Sequence, residues 1–370
     1  MPATRVLIVD DAVVVRRLVT DALLGDPEIE VVGAAANGRI ALAKIPQVNP
    51  DILILDIEMP EMDGLQMLEE LRVSYPGLPV IMFSMLTKRG AVATLDALSL
   101  GAADYVTKPS NLRSTSEAID SIRSSLVPRI KALCKAGKGR RRLSAPQEPA
   151  ITAADDSRAS RPPQRVDIVA IGVSTGGPNA LALVLSSIPK DFPVPIVIVQ
   201  HMPPLFTSFL AERLATQCDI DVREAVSGEA IHPGCAWLAP GGYHMIVERR
   251  GKATVLGTHK GPPENSCRPS VDVLFRSVVA NYGANALAVV MTGMGQDGLR
   301  GCEQVHEAGG LIVVQDEATS VVWGMPGFVA KAGLADEIIA VEQLCEVMIE
   351  RVELGRGRSD SPNIKAGLNG

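Results

Sequence analysis

Asp51-Ile-Leu-Ile-Leu-Asp56-Ile-Glu-Met-Pro-Glu-Met-Asp-Gly64 decides how the first third of the chain is read. Four apolar residues held between two aspartates are too few for a helix and too uniformly apolar for a half-exposed strand, so 52–56 reads as a strand buried on both faces. Pro60 and Gly64 mark the turn that leads out of it. Outward from this stretch, short apolar runs recur at 6–10, 30–33, 80–84 and 104–107 with helix-like segments between them. Five buried strands alternating with helices predict a doubly wound parallel sheet. The carboxyl ends of the strands form the ligand crevice of that architecture. Asp10, Asp56, Ser84 and Lys108 all fall there.

Asp10 and Asp11 close the first strand and Asp56 closes the third, its neighbour in such a sheet. Three converging carboxylates repel one another unless a cation sits among them, and a hard, oxygen-only set that retains water suits Mg²⁺. One carboxylate is then free to attack a phosphoryl group and form an aspartyl phosphate. Lys108 can neutralise the transferred oxygens and the Ser84 hydroxyl can hydrogen-bond one of them. A cis Lys108–Pro109 bond would fix the direction of the lysine. Taken singly, each Asp has the ordinary alternative of a strand-end or turn residue. The coincidence of four such positions points to chemistry.

The chain has 370 residues, enough for two domains of about 100–200 residues each. An apolar fraction of 46% and a charged fraction of 21% describe a packed protein rather than a disordered one. No apolar run reaches the ~18 residues of a membrane span, and the start lacks the apolar core of a secretory signal. A cytoplasmic protein without membrane insertion is expected. Six scattered cysteines form no zinc spacing and read as buried, reduced thiols. The net charge of −6 argues against a nucleic-acid partner, since such surfaces are basic. Residues 126–165 are expected to be a flexible linker, clearest from Ala136 onward through Gly137-Lys-Gly-Arg-Arg-Arg142, a run that docks a partner or is simply solvated. A second α/β pattern spans 166–354, with strands at 166–171, 195–200, 287–292 and 311–315, and 355–370 reads as a disordered tail.

In this second half the first strand runs into Gly172-Val-Ser174-Thr-Gly-Gly-Pro178. A serine at a strand-to-helix turn is exposed as a nucleophile, with glycines that let a substrate approach the backbone. The same turn has two other readings, a plain glycine-rich connection and an anion site at a helix N-terminus. It fits neither the dinucleotide nor the Walker spacing. A serine nucleophile needs a base, and His201 follows the strand at 195–200. An orienting carboxylate should sit at a third strand end, where Asp297 follows 287–292, although Asp297 could instead cap the next helix. The order Ser, His, Asp differs from that of the α/β-hydrolases.

Two resemblances follow from these residues. Val9-Asp10-Asp11, Asp56 to Gly64, Ser84 and Lys108-Pro109 resemble the response-regulator receiver family over residues 1–125. That likeness implies a flavodoxin-like fold, Asp56 as phosphoacceptor, Mg²⁺ held by Asp10, Asp11, Asp56 and the Glu58 backbone, and Ser84, Tyr105 and Lys108 as switch residues. Gly172 to Pro178, Gln200-His-Met-Pro203, Ala239-Pro-Gly-Gly-Tyr-His244, Arg268-Pro-Ser-Val-Asp272 and Met291 to Gly298 resemble the catalytic domain of the chemotaxis protein-glutamate methylesterases, the CheB type. This second likeness implies hydrolysis of glutamate methyl esters on a chemoreceptor, extending in some members to deamidation of receptor glutamines. Ser174, His201 and Asp297 would be catalytic, and the backbone N–H groups of Thr175 and Met294 would form the oxyanion hole, with no cofactor in the catalytic domain. A histidine kinase of the chemotaxis type would be the phosphodonor. The receiver would then hold the esterase in check until Asp56 is phosphorylated. A receiver with a non-catalytic binding output is the alternative.

Overall fold

Apolar runs become strands where the sequence places them. In the computed structural model, which describes residues 3–109, 114–140 and 164–356, the chain divides into two compact units, 1–147 and 148–370. The first runs β1 (Thr4–Val9), α1 (Val13–Leu23), β2 (Ile29–Ala35), α2 (Gly38–Val48), β3 (Ile52–Leu55), α3 (Gly64–Ser74), β4 (Val80–Ser84), α4 (Lys88–Ser99), β5 (Asp104–Thr107) and α5 (Thr115–Arg140). All its strand pairs are parallel, in the order β2-β1-β3-β4-β5. This is the flavodoxin-like order, with the central strands covered on both faces. Every residue of β3 and β4 is buried. Helix starts are fixed locally, by Asn37 before α2, by an Asp63–Gln66 capping box before α3 and by Thr87 before α4, each satisfying backbone N–H groups that the first turn leaves open.

The flexible linker expected from 126 is helical over 126–140, because α5 continues past 125 to Arg140. Leu126, Ile130, Leu133 and Cys134 are buried, at the spacing of a helix face, so the apolar stripe continues past 125. The rest of the expected linker, from 141 to 163, lies outside the described residues, as does the tail from 357. Gly355 and Arg356 are ordered against the second unit, where Arg356 Nη2 donates to the Val166 carbonyl at 3.1 Å.

The second unit runs β6 (Ile168–Val173), α6 (Gly177–Leu185), β7 (Ile196–Gln200), α7 (Phe206–Gln217), β8 (Asp221–Glu224), β9 (Cys235–Leu238), β10 (His244–Arg250), β11 (Ala253–His259), α8 (Val271–Tyr282), β12 (Ala286–Val290), α9 (Leu299–Glu307), β13 (Leu311–Gln315), α10 (Met325–Lys331), β14 (Glu337–Ile339) and α11 (Leu344–Leu354). Seven parallel strands take the order β14-β13-β12-β6-β7-β9-β8, and β10 and β11 form a separate antiparallel hairpin. The chain enters at β6, builds outward through β7, then crosses to β12 on the other side. Between β6 and β12 the winding direction reverses, which opens a crevice at the strand carboxyl ends. β6, β7 and β12 are wholly buried. The four strands β8, β9, β10 and β14 were not among those expected, nor was β11. Among the described residues no helix is long and apolar enough to cross a membrane.

Candidate functional site

In the first unit Val9 pairs with Leu55, so the next residues along, Asp10 and Asp56, emerge side by side. Both are buried, and their oxygens and that of exposed Asp11 lie within 4.8 Å of one another. The Lys108 ammonium is 2.7 Å from Asp10 Oδ2 and 2.8 Å from Asp56 Oδ2. Asp10 Oδ1 accepts the Ala12 N–H and Asp56 Oδ1 the Ile57 N–H. Burial nevertheless pushes Asp56 up to about 6, against the pull of Lys108. Lys108, which burial acts to lower, is held above its ordinary value by the two carboxylates. Three clustered carboxylates with a single ammonium among them leave an excess of negative charge of the kind a hard dication balances.

The residues expected to act as a switch lie on or just after β4 and β5, with one difference from expectation. Lys108–Pro109 is not cis, the cis peptide bond among the described residues being Arg268–Pro269. The lysine is aimed instead by its own N–H, which donates to the Ser84 carbonyl at 2.7 Å one step beyond the Ser84–Thr107 pair. The Ser84 hydroxyl is paired with Thr94 Oγ1 at 2.8 Å. Thr94 spends its proton on the Gly90 carbonyl, so Ser84 donates to Thr94 in this state. Tyr105 is packed inward, 9% exposed. Glu58 is exposed, its carboxylate 3.3 Å from Arg89.

In the second unit Ser174, His201 and Asp297 follow β6, β7 and β12, three adjacent strands. Ser174 N–H donates to the Thr292 carbonyl, His201 N–H to the Val173 carbonyl, and Gln200 Nε2 to the Ser174 carbonyl. The strand ends are thereby stitched together at the backbone. Gly176 takes φ 80°, which swings the chain from the serine into α6 without the cost a side chain would incur. At Gly293 a Cβ would stand 2.8 Å from Ser174 Cβ and 2.5 Å from Met325 Sδ, so only glycine lets the β12 loop reach the serine. Thr175 is buried with its carbonyl held by Thr292 Oγ1. Met294 follows Gly293, whose carbonyl is pinned by the Gly324 and Met325 N–H groups.

His201 Nε2 is 2.8 Å from Asp297 Oδ2. Asp297 does not cap α9, whose N-cap is Gly298. Its carboxylate accepts the Val271 and Asp272 N–H groups at the start of α8, the Ser270 hydroxyl and the Asn265 amide. Asp272, in turn, accepts the Gly298 and Gly301 N–H groups of α9. Each aspartate therefore caps the other's helix, and Asn265 Nδ2 bridges the two carboxylates at 2.8 and 2.9 Å. Burial acts to raise Asp297, but His201, the α8 N–H groups and Asn265 outweigh it and hold it down at about 2. Burial acts to lower His201, and Asp297 with Cys267 outweighs that and holds the imidazole well above its ordinary value.

Ser174 and His201 are not hydrogen-bonded through their side chains, since the hydrogen bonds of Ser174 run through its backbone. The second ring nitrogen, Nδ1, faces Cys267 Sγ at 3.6 Å. Cys267 and Cys218 are half-buried, unlike the other four thiols. Sequence reasoning missed Asn265, Cys267, Ser270 and Asp272 as parts of the site. The last two lie in the quoted Arg268-to-Asp272 segment, but their partner is 25 or more positions away and no local pattern reveals it.

Both units resemble known proteins. Residues 6–120 match the response regulator receiver domain and 169–348 the CheB methylesterase. A protein-glutamate methylesterase/protein-glutamine glutaminase of Trichodesmium erythraeum is 54% identical over 95% of this chain and 100% of its own length. One of Nocardioides sp. is 48% identical over 95% and 96%. A solved Thermotoga maritima CheB methylesterase catalytic domain is 39% identical, spans 50% of this chain and 98% of its own, and has a TM-score of 0.49. A receiver placed before an esterase unit, with relatives alike from end to end, identifies the chain as a member of the protein-glutamate methylesterase/protein-glutamine glutaminase family.

Proposed function

We propose that this protein hydrolyses glutamate methyl esters on the cytoplasmic part of a methylated chemoreceptor, releasing methanol, under control of phosphorylation at Asp56. The observation that carries the reading is the His201–Asp297 pair beside Ser174 on the three adjacent strand ends of β7, β12 and β6. Asp297 occupies Nε2, so Nδ1 is the nitrogen that takes the Ser174 proton as Oγ attacks the ester carbonyl. The raised His201 must first lose its own proton. The carboxylate, fixed by the N-terminus of α8, holds the ring and balances the imidazolium as it forms. N–H groups of Thr175 and Met294 stabilise the oxyanion, worth about 10²–10³ in rate per donor. Protonation of the leaving methoxide by His201 gives methanol, and water then deacylates Ser174. The same acyl chemistry extends to a glutamine side chain, with ammonia leaving.

In the receiver, Asp10, Asp11, Asp56 and the Glu58 carbonyl would hold Mg²⁺, which supplies the countercharge for phosphoryl transfer. Asp56 accepts the phosphoryl group from a histidine kinase of the chemotaxis type. Lys108 then exchanges a carboxylate contact for a phosphoryl oxygen. Ser84 exchanges Thr94 for another, and that rearrangement around buried Tyr105 is the local event that carries the signal. A protein acting on the inner face of a receptor works in the cytoplasm.

The test is to incubate the full chain with methylated receptor, with and without a small phosphodonor, and to follow methanol. Release should rise with the phosphodonor, and Ser174→Ala should cut it by about 10⁶-fold while leaving phosphorylation of Asp56 intact. Undiminished release from that variant overturns the triad. Phosphorylation without any methanol release in the native chain favours a binding output.

A further inference from the structure

Cys267 lies against the catalytic histidine and has no part in the acyl transfer derived above. It is not there by chance of packing. Glu264 and Cys267 exchange both backbone hydrogen bonds, with Asn265 and Ser266 at φ 51° and 62°, a two-residue turn of the I′ kind. A left-handed serine is unfavourable there, and the turn is clamped at two further points. Arg276 grips Glu264 with two hydrogen bonds of 2.5 and 2.6 Å, and Asn265 is fixed to Asp272 and Asp297. The thiol is delivered to His201 by a rigid support.

We propose that Cys267 Sγ and His201 Nδ1 form an inhibitory binding site for a thiophilic divalent cation, with Zn²⁺ the best-suited ion. With Zn–N near 2.0 Å and Zn–S near 2.3 Å, two ligands at a tetrahedral angle stand about 3.5 Å apart. The observed Nδ1 to Sγ separation is 3.6 Å. Nε2 is already bonded to Asp297 at 2.8 Å, the carboxylate–histidine arrangement that orients a metal-binding imidazole. His201, Cys267 and Asp297 offer atoms within 4.8 Å of one another, and Asp297 serves here as the outer partner of the ring. Half-exposed Cys267 and a His201 side chain that is 13% exposed leave a route for the ion. Two coordination positions remain for water.

On binding, the Cys267 S–H bond breaks, sulfur keeps the electron pair and bonds the metal, and the proton goes to solvent. Nδ1 binds as neutral imidazole, releasing its proton if it carried one, so binding tightens as pH rises. No oxidant or reductant takes part. The inhibitory consequence rests on the triad reading, because the metal takes the one ring nitrogen that Ser174 needs. The binding itself does not. Mg²⁺, a hard ion, has no affinity for this soft pair, so the two units of the protein respond to different cations.

The experiment uses the full chain stripped of metal and held in excess Mg²⁺, which saturates the oxygen cluster of the first unit. Co²⁺ is titrated first, as a spectroscopic stand-in. A thiolate-to-cobalt charge-transfer band should appear in the near ultraviolet and be absent from Cys267→Ser and from His201→Gln, with tryptophan fluorescence confirming that both variants are folded. Zn²⁺ should then inhibit methanol release reversibly on chelation. In Cys267→Ser the Zn²⁺ concentration for half-inhibition, relative to that variant's own metal-free rate, should rise at least about tenfold, the change that about 1.4 kcal/mol of lost coordination produces. No band in the native chain, a band that survives in Cys267→Ser, or equal Zn²⁺ sensitivity in both proteins overturns the proposal. A band that depends on Cys267 in a chain that releases no methanol would leave the metal site standing and sink the esterase reading instead.

Discussion

Each unit carries a buried aspartate in the segment that leaves the carboxyl end of a central parallel strand, Asp56 directly after β3 and Asp297 in the loop between β12 and α9, and the two are driven in opposite directions. Asp56 receives one backbone N–H and shares one ammonium with Asp10, and burial lifts it to about 6. Asp297 receives two N–H groups from a helix start, a hydroxyl, an amide and the imidazole, and is held at about 2. Strand-end burial is common to both, so the donors decide. An under-supplied carboxylate is costly as an anion and ready to gain a cation and a phosphoryl group. A saturated carboxylate is inert and suited to hold another residue in place.

That contrast is open to test. Its largest expected effect is on the rate. Asp297→Asn keeps the shape but gives His201 a neutral partner, and methanol release should fall about 10⁴-fold. A loss smaller than tenfold would show that the ring is oriented by something else. Asn265→Ala leaves both Asp272 and Asp297 short of one buried donor. A buried group left unsatisfied costs about 1–3 kcal/mol, so a loss of about 10–100-fold in kcat with little change in KM is expected, with Asn265→Gln recovering less than the native rate. An unchanged kcat would reduce Asn265 to a turn residue.

A smaller effect carries the sign of the comparison. In metal-free buffer at neutral pH, Asp56→Asn should stabilise the first unit by about 3 kcal/mol, whereas Asp297→Asn should destabilise the second by a similar amount, each pKa unit being about 1.4 kcal/mol. Hydrogen exchange on peptides from β3 and from β12 reads the two units separately, and equal signs would break the contrast. The pH response follows from the same displacements. Asp56 is raised in the folded state, so its stabilising contribution is complete below about 3.8 and is lost as pH rises through about 6. Asp297 is lowered, so its contribution is present above about 3.8 and is lost as pH falls through about 2. Both tryptophans, Trp237 and Trp323, lie in the second unit, and their fluorescence in an acid titration should report its loss in the lower window alone.

Much of the fold was legible because buried parallel strands announce themselves as unbroken apolar runs. β4, β5 and β13 coincide with the expected 80–84, 104–107 and 311–315. β8 escaped notice because Asp221-Val-Arg-Glu224 has one buried residue, and it is a strand only because β9 pairs with it at the sheet edge. The helical character of 126–140 escaped notice as well: α5 runs through Pro128 to Arg140, and burial of Leu126, Ile130, Leu133 and Cys134 holds it in place.

For the sites, the sequence by itself determined which residues arrive near strand ends, because the lengths of the unbroken apolar runs fix roughly where each strand stops. Asp10, Asp56, Lys108, Ser174, His201 and Asp297 were all nameable on that basis. What each residue does on arrival was decided by tertiary structure alone. The exchange of helix caps between Asp272 and Asp297, the pairing of Ser84 with Thr94 and the thiol of Cys267 at Nδ1 all join groups far apart in the chain. Hydrogen bonds of that kind depend on positions to a few tenths of an ångström, and only the packed sheets and helices set positions that finely.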